Sequence, residues 1–214
     1  MAEPVPQPAA GELTSEQFDA VIAAIDEANS ADPNVLTHGA RRGPKELVHA
    51  EMMTEWVHRL SDAPDQAQLV AARAHHLCRW EHPRADYDEG RAGYRRWRAA
   101  AKKAHAEAVA GILEAHGAPA GFIDRVQRTI RKDGLGADPS VQLHEDALCL
   151  VFLETQLDDL VESLGEQRAT EVLGSTLRKM TPAGVAAAGT IELSEMGRST
   201  LSCAIDAVNG PQSQ

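Results

Sequence analysis

Aromatic residues are scarce. The 214-residue chain holds three Trp, two Tyr and three Phe, 4% of its length. Strand-forming aromatics being few while alanine and leucine dominate, helices are favoured over sheet. Cysteine is also sparse: Cys78, Cys149 and Cys203 are odd in number and far apart, which excludes a disulfide framework and a cysteine-built zinc knot and fits a reducing compartment. No apolar run approaches the eighteen or so residues of a membrane span. The opening "MAEPVPQPAAGE" has neither the basic nor the apolar region of a signal peptide, so a cytoplasmic location is expected. Positive charge is in deficit, 21 Lys and Arg against 32 Asp and Glu, for a net charge of −11. Bulk binding to nucleic acid or to an anionic membrane is therefore not expected. Phosphate-binding glycine loops, dinucleotide-binding glycine motifs, Gly-x-Ser-x-Gly and the zincin helix motif are all missing.

What is present is a succession of helical signals. Residues 1–13 are rich in Pro and Ala and read as a disordered tail. Thr14 with Gln17 forms a capping box, and Phe18, Val21, Ile22 and Ile25 follow at helical spacing. Residues 31–44 read as a loop carrying His38, Arg41 and Arg42. Helices are expected over about 44–60, 65–80, 91–116, 119–132, 140–164 and 165–180, with a weaker last one opened by Thr181-Pro182. The expected fold is all-α: a single-domain orthogonal bundle of about seven or eight helices over 14–193, with a weakly ordered segment over 194–214.

Four titratable residues fall on apolar stripes. His49 aligns with Met53, Trp56 and Leu60; His76 with Leu69 and Trp80; His105 with Ala108, Val109 and Ile112; Asp146 with Leu150, Leu153 and Leu157. Such stripes face the core. A buried carboxylate is costly unless it is paired or bound to a metal, and three imidazoles with a carboxylate make a ligand set for zinc, manganese or iron. The bland alternative is equally open: a histidine on such a stripe is most often held by a backbone or hydroxyl partner, and Asp146 can pair with an arginine or a histidine. Glu145 stands beside Asp146 as a candidate acceptor that orients a ligating histidine.

The other distinctive segment is basic. Residues 73–103 hold nine Lys and Arg against four Asp and Glu. Within it Arg79, Arg84, Arg91, Arg95 and Arg98 alternate with Trp80, Tyr87, Tyr94 and Trp97. Arginine grips phosphate or carboxylate through a planar fork, and aromatic rings stack on bases or on guanidinium planes. A long irregular loop folded over the inward histidines would build an anion pocket, to which Arg128 and Lys132 would add charge. Pairing of these arginines with the surplus acid elsewhere is the alternative.

Two family resemblances are carried by these residues. The intervals between His49, His76, His105 and Asp146, with "AKKAHAEAVAGILEAHGAPAGFIDRVQRTI" and "LHEDALCLVFLE", resemble those of the HD-domain metal phosphohydrolases over roughly residues 44–160. The defining His-Asp pair is absent: Leu77 follows His76. "RAHHLCRWEHPR", "YDEGRAGYRRW", "HAE" and "EDALCLVFLE" resemble the family called domain of unknown function 4202, over nearly the whole chain from about residue 18. That second resemblance implies His76, His105 and Asp146 as site residues ahead of His49. Together the resemblances imply an HD-like helical protein that binds a phosphate-containing or otherwise anionic small molecule, with metal-dependent phosphoester hydrolysis as its expected chemistry. In that scheme His76, Asp146 and Glu145 are catalytic; His49, His76, His105 and Asp146 hold a divalent zinc, manganese or iron ion. Two further expectations stand beside it: a non-catalytic module binding a nucleotide, an RNA end or a protein, and an HD-type iron oxygenase.

Overall fold

The computed structural model describes residues 11–210. Among them are nine α-helices, two short 3-10 turns and one two-stranded hairpin. The expected all-α fold is met, with more helices than expected. The helices are α1 (Ser15–Ser30), α2 (Lys45–Leu60), α3 (Gln66–Arg73), α4 (Gly90–Ala115), α5 (Ala120–Arg131), α6 (Pro139–Leu164), α7 (Glu166–Leu177), α8 (Pro182–Ala188) and α9 (Glu195–Asn209). No helix is long and apolar enough to cross a membrane among the described residues. Most of the disordered tail expected over 1–13 lies outside the described residues; within it, Leu13 is buried against α3, its N–H donating to Gln66 Oε1 at 2.9 Å.

The Thr14–Gln17 capping box closes the start of α1, and Asp65 with Gln68 closes α3 in the same way. Three departures from the expected elements bear on the site. The stretch read as a loop folds as an antiparallel hairpin, β1 (Val35–His38) and β2 (Arg41–Pro44). Gly39, at φ +56°, occupies the first position of the two-residue turn where a side chain would be strained. The hairpin clasps α2 and α6: His38 Nε2 lies 3.2 Å from Glu154 Oε1, whose partner oxygen accepts the Trp56 indole N–H at 2.6 Å, and Arg41 pairs with Glu55 at 2.8 Å. Secondly, α3 stops at Arg73 rather than near residue 80. Thirdly, the segment expected to be weakly ordered forms α9, which buries Leu201 and Ala204.

Burial falls into two clusters. One joins α1, α3, α4 and α5 through Val21, Ile25, Val70, Leu77, Val109, Phe122 and Val126. The other joins α2 and α6 to α7, α8 and α9 through Met53, Trp56, Leu150, Leu153, Leu157, Leu173 and Leu201. Helix α6 is buried around most of its circumference and acts as the spine of the second cluster.

Two aspartates of α6 fix the helices that follow. Asp146 accepts from the Thr181 hydroxyl at 2.5 Å and from the Thr181 N–H at 3.0 Å. Thr181 Oγ1 in turn accepts from Gly184 N at the start of α8. Asp158 repeats the arrangement one stage later: Ser194 donates its hydroxyl at 2.6 Å and its N–H at 3.1 Å, and Ser194 Oγ accepts from Gly197 N. In both turns the cap is followed at the third residue by glycine, because a Cβ at Gly184 would stand 2.8 Å from the Asp146 carboxyl carbon and one at Gly197 would stand 2.2 Å from Asp158 Oδ1. Each carboxylate thus satisfies a cap that itself satisfies an orphan helix N–H. Asp146→Ala, which strands part-buried donors, is expected to cost about 1–3 kcal/mol, and Asp158→Ala, whose partners are exposed, about 0.5–1.5 kcal/mol. A drop in the urea midpoint at unchanged m-value is the measurement that checks it.

Candidate functional site

The two clusters meet at a cavity of about 480 Å³, within the range of small-molecule sites. Its floor is built from four histidines on three elements. His49 comes from α2, His75 and His76 from the turn after α3, and His105 from α4. His144 of α6 supports them from behind, its Nε2 2.9 Å from His75 Nδ1. The rings form a connected cluster: centroids are 4.8 Å apart for His144–His75, 4.0 Å for His75–His76, 4.7 Å for the stacked pair His76–His49 and 5.8 Å for His76–His105.

The early end of α3 creates this geometry. After Ala74 the chain turns, and Cys78 adopts a left-handed conformation, φ +53°, with its N–H donating to the buried Asn29 side chain of α1 at 3.2 Å. Leu77 is thereby driven into the α1–α3–α4–α5 cluster, and its carbonyl accepts from His105 Nδ1 at 2.9 Å. That bond fixes the His105 tautomer: Nδ1 carries the proton, and the buried Nε2 keeps a lone pair with no protein partner. His49 Nδ1, His75 Nε2 and His144 Nδ1 are buried and unpartnered as well. A metal ligand or a proton acceptor needs such nitrogens.

One carboxylate completes a possible ligand set. Glu46, in the first turn of α2, is held there by its own backbone N–H, which donates to Asp32 Oδ2 at 3.0 Å. Ligand atoms of Glu46, His49 and His76 all lie within 4.8 Å of one another. His76 bridges two charges. Its Nε2 accepts from Arg79 Nη1 at 2.6 Å, so its Nδ1 is the donor to Glu46 Oε2 at 3.1 Å.

Burial sets the charge states. It pushes the Glu46 carboxyl up to about 7, against the pull of Arg79 and Lys45. It pushes His49 and His144 down to about 3 and His105 down to about 4, and it holds His75 and His76 well below the ordinary imidazole range. Neighbouring cations and imidazoles add to the effect. The histidines are therefore neutral at pH 7, which is the form that binds metal.

The walls are cationic. Lys45, Arg79, Arg98, Lys102, Lys132 and Lys179 line the cavity, with Glu46 and Glu145 as its only acidic residues. Buried Glu145 pairs with Lys132 and lies 3.9 Å from Lys179 Nζ. Lys132 caps α5 in the left-handed region at φ +64°, where glycine is the usual occupant. Cys78 and Lys132 are the two non-glycine residues with such backbone among those described. One shapes the histidine turn and the other lines the cavity, so the strain is concentrated at this site.

The sequence from residue 19 to residue 200 matches the family model described as Domain of unknown function (DUF4202). The chain belongs to this family. No curated protein and no solved structure matches it.

Several residues singled out from the DUF4202 sequence come together in the cavity: His49, His76, Arg79, Tyr94, Arg98, His105, Lys132 and Glu145. Others do not line it. Asp146 is committed to Thr181 and to Gln142, whose Nε2 donates to Oδ1 at 3.0 Å, so the α6 carboxylate that faces the cavity is its neighbour Glu145. Arg84 donates to the backbone carbonyls of Tyr87 and Asp88 at 2.7 and 2.8 Å and ties the loop to itself. Trp80 and Tyr87 are half-buried and Arg91 is exposed, all outside the cavity lining, while Arg128 pairs with Asp138 at 3.8 Å. The loop over 80–90 is thus held beside the site, with the Trp97 indole donating to His82 O at 2.9 Å, and does not fold over it. His38 and Arg41 likewise belong to the hairpin clasp. The sequence reading missed Glu46, His75 as a floor residue, His144 and the cavity lysines Lys45, Lys102 and Lys179. Glu46 stands one turn before His49 on the same stripe, and that spacing was its signal.

The neutral imidazoles have a consequence for stability. Between about pH 4.5 and 6.5 the unfolded chain protonates these five histidines while the folded chain keeps them neutral. Glu46 acts the other way, since its raised folded value means that it releases a proton on unfolding. Net proton uptake on unfolding makes the fold less stable as pH falls below about 6.5. Each unbalanced proton contributes about 1.4 kcal/mol per pH unit. Urea midpoints measured in chelator at pH 7.5, 6.0 and 5.0 should decline steeply, and His144→Phe should flatten the decline.

Proposed function

We propose that the chain binds a phosphate-bearing small molecule in this cavity and hydrolyses its phosphoester with a divalent ion held by Glu46, His49 and His76. The observation that carries the reading is a local reversal of charge. In a chain of net charge −11, six cationic side chains surround one cavity that contains two carboxylates. Such a cavity concentrates dianions against the field of the whole molecule.

The donor set fits zinc, manganese or iron. Imidazole nitrogens with one carboxylate are ligands that these ions accept. Tetrahedral ligands about 2.1 Å from an ion stand about 3.4 Å from one another, so a triad within 4.8 Å needs side-chain adjustment and no movement of the helices. The orphaned nitrogen of His49 supports the fit further. When bound, such an ion lowers the pKa of water toward neutrality and polarises a phosphoryl oxygen. The His49–His76–His105 intervals, which resemble those of the HD-domain phosphohydrolases, point the same way, although Leu77 stands where their aspartate would be and Asp146 is committed to Thr181.

The chain's own groups have distinct tasks. His76 Nε2 accepts from Arg79, whose guanidinium also stands 5.0 Å from the Trp97 ring centroid; that contact is released when Nε2 takes an ion, which frees the fork for a ligand. It neutralises phosphoryl oxygens as charge builds on them. Lys132 and Lys179 supply charge from the opposite wall, and Glu145 keeps Lys132 extended into the cavity. His105 Nε2, its lone pair free and its ring fixed through Leu77 O, accepts the proton of an attacking water. Glu46 orients His76 through Nδ1.

A second reading is favoured by one observation. Both nitrogens of His76 already have protein partners, Glu46 and Arg79, an arrangement that is stable with no ion at all. On that reading the cavity is an anion-binding site without hydrolysis. Elemental analysis of protein purified without chelator or affinity-tag metal separates the two. We expect near-stoichiometric divalent metal, its loss in the His49→Ala/His76→Ala double variant, and phosphate release from a panel of phosphoesters. Arg79→Ala should lower kcat/KM by about 100-fold or more. Absence of metal under every loading condition, with anion binding retained, overturns the hydrolase and leaves the binding module. Absence of anion binding overturns both.

A further inference from the structure

The cavity is zoned, and the zoning describes more of its ligand than a phosphate. Its floor is buried and polar. Its mouth is exposed and mixed, with Tyr94 and Val172 standing among Lys45, Gln156, Ser175 and Lys179. Among the described residues six large hydrophobic side chains are exposed, and two of them, Tyr94 at 45% and Val172 at 37%, line this cavity. They stand on different walls, Tyr94 on α4 and Val172 on α7. Half-buried Trp97 and Phe152 continue these walls inward, on α4 and α6. In a chain with eight aromatic residues, three of them are spent on one cavity.

Exposed Tyr94 is continued inward by half-buried Trp97, so the α4 wall carries an aromatic surface rather than one isolated ring. These rings are also arranged with the cations. Tyr94 and Trp97 lie 5.7 Å apart, centroid to centroid, and the Arg98 guanidinium stands 5.8 Å from the Tyr94 centroid as Arg79 does at 5.0 Å from Trp97. Each ring therefore has a guanidinium next to it. A ligand that places a planar ring on the aromatic wall brings its anionic group within reach of an arginine. A bare phosphate or a sugar phosphate uses the floor and leaves the mouth wet.

We infer that the ligand is a phosphate ester of a planar heteroaromatic compound, the chemistry of a nucleotide, with its ring between Tyr94 and Trp97 on one side and Phe152 and Val172 on the other, and its phosphate toward Lys132 and Arg79. The inference rests on the phosphate reading given above and adds the ring to it. A volume of about 480 Å³ holds a ligand of that size. Stacking on aromatic side chains tolerates any base, so the mouth selects for planarity before it selects among bases.

The test is calorimetric titration of the protein as purified with AMP, with ribose 5-phosphate and with adenosine, phosphate release being followed in the same samples. AMP should bind about tenfold or more tightly than ribose 5-phosphate, and adenosine more weakly than AMP. Tyr94→Ser combined with Val172→Asn should bring the AMP to ribose 5-phosphate ratio down toward one. Both positions are exposed, and an unchanged thermal midpoint confirms that the fold is intact. Equal affinity of the wild-type protein for AMP and ribose 5-phosphate overturns the ring and leaves the phosphate reading standing. So does a ratio above ten that the double variant does not change. No binding of either phosphate overturns both.

Discussion

The placement of Leu77 governs the arrangement of the site. Its side chain is buried in the cluster shared by α1, α3, α4 and α5, and burial of a leucine is worth about 1.5–3 kcal/mol. For Leu77 to reach that cluster the chain must leave the α3 helix three residues earlier and turn tightly enough to force Cys78 into the left-handed region. The turn then presents His75 and His76 together to the cavity, which consecutive positions on a helix, about 100° apart, would not do. It also sends the Leu77 carbonyl to His105 and so decides which nitrogen of that ring is free. One apolar side chain thereby positions three of the floor histidines. It also explains why a carboxylate at position 77 is incompatible with this site: the side chain there points into an apolar cluster, where an unpaired charge is prohibitive. The carboxylate arrives instead from Glu46 on α2.

Keeping a floor of neutral imidazoles next to six cations has an electrostatic logic. Burial disfavours protonation of the histidines, and Arg79, Lys45 and Lys132 disfavour it further. The histidines therefore remain available as lone-pair donors. At Lys132 burial lowers the pKa while Glu145 opposes that shift. Glu145 is needed for this reason. Without it a buried ammonium in a strained backbone position would have two costs and no compensation.

Helix content, the all-α class and most helix limits were legible from local signals: the capping boxes at Thr14 and Asp65, Pro at the start of α6 and α8, and glycine at helix ends. The limits that failed are those set by tertiary packing. Residues 66–80 have a continuous helical pattern, yet Leu77 gains more in the neighbouring cluster than in register with Leu69. The hairpin over 35–44 has the glycine that its turn requires, but its strands are four residues each and half polar, too short for alternation to stand out. The histidine set was legible in part because helical periodicity finds inward positions. It does not say toward what an inward side chain points.

Helix α6 makes that distinction concrete. It is buried on several faces, so adjacent residues 144, 145 and 146 are all inward and all polar. Their 100° steps send them to three environments: His144 to the back of His75, Glu145 to the lysines of the cavity, and Asp146 to the cap of α8. A stripe through Asp146, Leu150, Leu153 and Leu157 is a true core stripe, and Asp146 belongs to it because a carboxylate can be buried when a hydroxyl and two N–H groups supply its bonds. The discriminating clue is downstream, in the repeated pattern of a hydroxyl residue followed at the third position by glycine, Thr181 with Gly184 and Ser194 with Gly197. Each glycine leaves room for an aspartate arriving from α6. Two aspartates for two such caps account for Asp146 and Asp158 by structure alone, which leaves Glu145 as the acid that α6 contributes to the cavity.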